Sequence, residues 1–139
     1  MRILIAPDSF KESLSAAEAA TRISEGIRRV LPAAQITQLP LSDGGEGLTE
    51  TLIAAMAGRM LEQEVTAPMG NRVMARFGVA GDDTAIIEMA EASGLNLVPP
   101  AQRNPLTATT FGTGELIRAA LDQGCRRLII GIGGSATND

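Results

Sequence analysis

Apolar and polar positions alternate along this chain in two distinct rhythms, and the change of rhythm marks its organisation. Arg2 to Ala6 is a compact apolar run that predicts a buried strand. Ser15 followed by Glu18 is the pattern in which each side chain satisfies an orphan amide at a helix start. From there Ala16, Ala20, Ile23, Ile27 and Val30 recur at helical spacing, and Pro32 marks the stop. Gln35 to Leu39 predicts a second strand and Pro40 to Gly45 a loop. Gly47 to Ala57 predicts a second helix with Leu48, Leu52, Ala55 and Met56 on its apolar face. Two strand-helix units in succession favour a parallel sheet.

The rhythm then becomes period-two. Leu61 to Ala67 and Arg72 to Val79 read as antiparallel strands, with Val73, Ala75, Phe77 and Val79 on one face and Pro68 to Asn71 as the turn. Gly81 to Asp83 leads to a further strand, Thr84 to Glu88, so a β-meander interrupts the α/β pattern. After Gly94 a proline-containing connection runs to Pro105. A helix is expected from about Thr113 to Gln123, with Leu116, Ile117, Ala120 and Leu121 inward, and then a strand from Arg126 to Ile132. The expected fold is α/β: a parallel-sheet, three-layer α/β lobe (1–58) with an inserted β-meander that begins a second α/β lobe (59–139). The last nine residues form a glycine-rich turn where such a protein starts its next helix, which reads as a truncated chain.

Composition narrows the chemistry. At 139 residues and 45% apolar, the chain has the length of one compact domain. A formal charge of −4 without any basic block argues against nucleic acid as a partner. The apolar runs fall far short of the roughly 20 residues that cross a bilayer, and no signal-peptide core is present, so a cytoplasmic, membrane-free protein is expected. Histidine, tyrosine and tryptophan are absent and Cys125 is the only cysteine, which sets aside zinc chemistry and a Ser/His triad within this chain. Carboxylate-and-Mg²⁺ chemistry stays open.

Four segments carry candidate chemistry. Pro7 to Ser13 follows the first strand, where open α/β sheets bind ligands; Lys11, the only lysine, suits the charge of a transferring phosphate, and Asp8 suits a metal ion, a proton or merely an Asx-type turn. Leu41 to Gly47 holds the matching place after the second strand, with Gly44 and Gly45 allowing close backbone approach. Asp43 there suits a general base or metal ligand, and Glu46 a metal partner or a first-turn charge. Thr109 to Glu115 opens a helix with hydroxyls and glycines, in which Thr113 suits an anion site or an ordinary N-cap; upstream, Arg103 offers a guanidinium to a carboxylate. Gly131 to Asp139 contains G-x-G-x-x-A after a strand, the dinucleotide fingerprint, although the helix and the acid that belong with it do not follow. There is no G-x-x-x-x-G-K-[ST] phosphate loop.

Taken in order, the segments IAPDSFKESLSA, LSDGGEG, EMAEASGL, RNP with TTFGTGELI, and GIGGSATND closely resemble bacterial glycerate kinases of the type-1 family. The resemblance implies the N-terminal part of an ATP-dependent, Mg²⁺-requiring glycerate 2-kinase with D-glycerate as acceptor and a site in the cleft between two α/β lobes. It implies catalytic roles for Asp43 and Lys11. A substrate or phosphate surface would include Asp8, Ser9, Gly44, Gly45, Arg103, Thr113, Gly133, Gly134, Ser135 and Thr137, with Asn138 and Asp139 on the metal. Members of that family run well beyond a terminal Asn-Asp, so apolar surface left exposed and self-association of the isolated chain are expected. The rival readings are a nicotinamide-dependent oxidoreductase built on Gly131 to Ala136, and a non-catalytic remnant.

Overall fold

The computed structural model describes residues 1–10, 13–81 and 83–138. Two compact units emerge, Met1–Asp43 and Gly44–Asp139. The first is a single β-α-β turn. Strands β1 (Arg2–Ile5) and β2 (Gln35–Gln38) pair in parallel, Arg2 beside Gln35 and Ile5 beside Gln38. Between them runs α1 (Ala16–Val30). Its start is the expected capping box, Ser15 Oγ accepting from the Glu18 amide at 3.2 Å and Glu18 accepting from the Ser15 amide at 2.9 Å. Leu31 closes it, as the residue before a proline is driven out of the helical region.

The buried stripe of α1 differs from the expected one. Ala16, Ala19, Ala20 and Ser24 are buried, whereas Ile23 is 41% and Val30 78% exposed. Small side chains let the helix approach closely, and the apolar residues one position round the cylinder stay outside that contact.

The second unit has three layers. Its sheet runs in the order β3 (Arg59–Thr66), β4 (Arg72–Ala80), β5 (Thr84–Glu88), β6 (Arg127–Gly131). The first three are the expected antiparallel meander, and β6 joins β5 in parallel, Thr84 beside Arg127 and Glu88 beside Gly131. Because successive strand residues point to opposite faces, Ala85 and Ile87 pack with Ala75, Phe77 and Val79 under α3 (Met89–Ser93) and α4 (Phe111–Asp122), while Ile86 meets Leu48 and Ile53 of α2 (Leu48–Ala55) on the other side. Cys125 is buried in the first of these clusters.

Three inward positions are corrected, Ala55, Met56 and Leu121, the first of them exposed on α2. Ile53, not Met56, completes the buried face of α2, and Leu121 at the end of α4 is 42% exposed while Leu116 and Ala120 are fully enclosed. Thr113 is not an N-cap: α4 starts two residues earlier, with Thr110 at the cap position. The cause is packing at Gly112, where a Cβ would collide with the Thr66 carbonyl, so the first turn of α4 lies directly against β3. The connection before α4 is not featureless either, since it contains 3-10 turns at Leu95–Leu97 and Pro100–Gln102.

Candidate functional site

In the first unit the two loops after the strands are tied together by one carboxylate. Asp8 Oδ1 accepts the Ser9 amide at 2.6 Å and Asp8 Oδ2 accepts the Asp43 amide at 3.2 Å. The backbone continues the pairing, Leu39 donating to the Ile5 carbonyl and Leu41 to the Pro7 carbonyl. Asp8 therefore does more than close a local turn: it sets the position of Asp43, whose side chain is exposed. Lys11 lies outside the described residues, as does Asp139.

In the second unit the glycine-rich segments meet backbone to backbone. The Gly133 amide donates to the Gly44 carbonyl at 3.1 Å. A Cβ on Gly133 would stand 2.6 Å from the Gly45 Cα, and one on Gly131 would stand 2.5 Å from the Gly44 carbonyl oxygen. No side chain fits either gap, so glycine is required there for the close approach of two loops. That packing accounts for the glycines of the dinucleotide-like fingerprint without a dinucleotide. Gly134, at φ +74°, turns the chain toward Ser135. The Ser135 hydroxyl then accepts the Thr137 amide at 3.0 Å and lies 2.9 Å from the Thr137 hydroxyl, closing a small turn before the exposed Asn138.

The segment Glu88 to Leu95 is the scaffold under this arrangement. Glu88 ends β5, only 4% exposed, and its carboxylate accepts the Gly47 amide at 2.8 Å and the Thr49 amide at 2.9 Å. Gly47 is the cap position of α2, in the left-handed region at φ +89° and without a side chain to offer, so the cap comes from the end of β5. Burial pushes the Glu88 carboxyl up from its ordinary value, against the pull of the Thr49 and Gly47 amides. Further along, Leu95 donates to the Gly134 carbonyl at 2.8 Å and Ala136 to the Ser93 carbonyl at 2.9 Å. The Ser93 and Thr113 hydroxyls lie 2.8 Å apart in the core, which makes Thr113 a tie between α3 and α4.

Arg76 braces the same region from β4. Its guanidinium reaches Glu91 of α3 at 2.8 Å and Glu50 of α2 at 2.9 Å. Arg103 lies exposed on the connection before α4, its Nε donating to the Val98 carbonyl at 3.2 Å. At the start of α4 an open pocket of about 590 Å³ is bordered by Met89, Thr110, Phe111, Thr113 and Ile130, a size that suits a small molecule.

The sequence motifs and this geometry have counterparts in known proteins. Residues 3–139 match the model of the glycerate kinase family. The chain belongs to the glycerate kinase family. It is 63% identical to a glycerate kinase of Bacillus subtilis and 59% identical to one of Haemophilus influenzae, in each case over 100% of this chain and 37% of the relative. A glycerate 2-kinase of Escherichia coli is 56% identical over the same shares. A crystal structure of a Salmonella typhimurium LT2 protein assigned as glycerate kinase 2 superposes with a TM-score of 0.84 at 61% identity, covering all of this chain and 37% of that one. The chain thus spans 37% of the length of these relatives.

Glu88 and Ser93 escaped the residue-by-residue reading of candidate chemistry. The available signal was an acid closing a strand whose other residues, Thr84 to Ile87, are buried, since a carboxylate in that place needs donors.

Among the described residues no group of three or more carboxylate, thiol or imidazole side chains is placed to hold a metal, and no helix is long and apolar enough to cross a membrane.

Proposed function

We propose that this chain forms part of an ATP-dependent kinase that phosphorylates D-glycerate and releases 2-phosphoglycerate and ADP. The observation that carries the reading is family membership over residues 3–139, joined to the close-packed glycine loops at Gly44–Gly45 and Gly131–Gly134. The 56% identity to a glycerate 2-kinase favours the 2-hydroxyl as acceptor.

In this reading Asp43 orients the acceptor hydroxyl and takes its proton as the oxygen bonds to the γ-phosphorus and the bond to the bridging β–γ oxygen breaks. Lys11 neutralises charge on the transferring oxygens, a task suited to an ammonium on a flexible stem. Asp8 acts through Asp43, by holding its amide. Backbone at Gly44, Gly45, Gly133 and Gly134, with the Ser135 and Thr137 hydroxyls, faces phosphate or glycerate. Ser9, Arg103 and Thr113 are further candidates for substrate contact, Arg103 through the guanidinium nitrogens other than Nε and Thr113 from the edge of the pocket at α4. Mg²⁺ in phosphoryl transfer leans on one or two carboxylates and on the phosphates themselves, so Asn138 with Asp139, or Asp43, match its donor chemistry without a larger cluster. Bound there, it would supply charge neutralisation of the phosphate oxygens.

The lobe division at residue 58, the cytoplasmic setting and the full protein's partners belong to the same proposal. A ³¹P spectrum of the product formed from D-glycerate by a polypeptide of the relatives' full length, carrying this chain, tests it: a 2-phosphate signal supports the reading, and a 3-phosphate signal overturns the choice of hydroxyl.

A further inference from the structure

Glu88 joins the end of β5 to the first turn of α2. Its two oxygens each take one amide of the first turn of α2, the Gly47 amide at 2.8 Å and the Thr49 amide at 2.9 Å. The turn they hold is the one that starts at Gly44 and Gly45, directly against Gly131 and Gly133. Glu88 is also the register partner of Gly131 on β6, so one residue touches both glycine segments, through its side chain on one and through the ladder on the other. Each amide takes its own oxygen, an arrangement that suits an ionised carboxylate, acceptor at both oxygens; a carboxamide puts an NH₂ donor in place of one oxygen, and a protonated acid turns one oxygen into an O–H donor. From this geometry we propose that Glu88 is a positioning residue, which clamps the Gly44–Gly47 turn to the end of β5 and so keeps the two glycine loops in register as one ligand-facing surface.

The inference rests on the kinase reading for its consequence, because the loops matter to rate only if phosphate or glycerate binds them. It predicts that Glu88→Gln, in a polypeptide of the relatives' full length, speeds hydrogen exchange of the amides at 44–50 and 131–136 while exchange in β3 and β4 is unchanged. It also predicts that kcat falls by about 10²-fold, the scale expected when reacting groups shift by about 1 Å. Glu88→Asp keeps the charge but is one methylene shorter, and should fall between the two in both measurements.

Faster exchange spread over the whole chain would show a merely structural role and overturn the proposal, as would unchanged exchange at 44–50. If the unaltered protein fails to phosphorylate glycerate while local exchange still rises in Glu88→Gln, the kinase reading falls and the clamp stands.

Discussion

The Gly133 amide donates to the Gly44 carbonyl at 3.1 Å, so two loops 89 positions apart in sequence touch backbone to backbone.

A methyl group at Gly133 would push against the Gly45 backbone, which cannot rotate away as a side chain could. Gly133→Ala should therefore destabilise the protein by about 1–3 kcal/mol, the usual cost of overpacking. Urea unfolding of the variant beside the unaltered protein checks this, and an unchanged midpoint would contradict the close approach.

Acid should weaken the fold through three carboxylates. The Arg127 guanidinium 2.8 Å away holds Asp83 below its ordinary 3.8, the Ser15 amide and hydroxyl hold Glu18 below 4.5, and the Thr66 amide holds Glu115 below 4.5. A lowered folded pKa gives stability that is present above the unfolded value and lost as pH falls through the folded one. Thermal midpoints should thus drop below about pH 4.5, and Arg127→Ala should flatten part of that drop.

Glu88 has the opposite sign. Its folded pKa is raised, so between 4.5 and the raised value the folded state holds more protons than the unfolded one and stability falls as pH rises. Glu91 is the like charge adding to the burial effect, with Arg76 paired to it. Relative to the unaltered protein, Glu88→Gln should gain stability as pH rises through that window. Thermal melts of both from pH 4 to 8 measure it, and a gap that moves the other way would contradict the sign.

The β6 edge should make the 139-residue chain associate with itself. Leu128, Ile129 and Ile130 are 37–40% exposed on a strand whose outer ladder is unpaired by any described strand, and Ile132 just beyond it is 75% exposed. Sedimentation velocity should show concentration-dependent association that Ile129→Lys reduces, and a monomer at every concentration would contradict it.

Local signals were the legible ones. The Ser15–Glu18 box, the period-two strands and the turn at Pro68–Asn71 depend on near neighbours, and each matches the structure to within a few residues. What could not be read was long-range. The parallel pairing of β5 with β6 joins residues 43 apart, Thr84 with Arg127, and the Glu88 cap reaches Gly47 over 41 positions. The covered faces of α1, α2 and α4 depart from the apolar stripes at Ile23, Val30, Ala55, Met56 and Leu121, because tertiary contact, not apolar spacing, decides which side is covered. The candidate site was legible as motifs; which of its residues hold backbone and which face ligand was not.

The most direct test is coupled ADP release with D-glycerate, ATP and Mg²⁺ from a polypeptide of the relatives' full length, beside its Asp43→Asn and Lys11→Ala variants. Glycerate-dependent turnover that falls by at least about 10²-fold in both variants, with their folds intact by circular dichroism, is the predicted result. No glycerate-dependent ADP release from the unaltered protein would contradict the account.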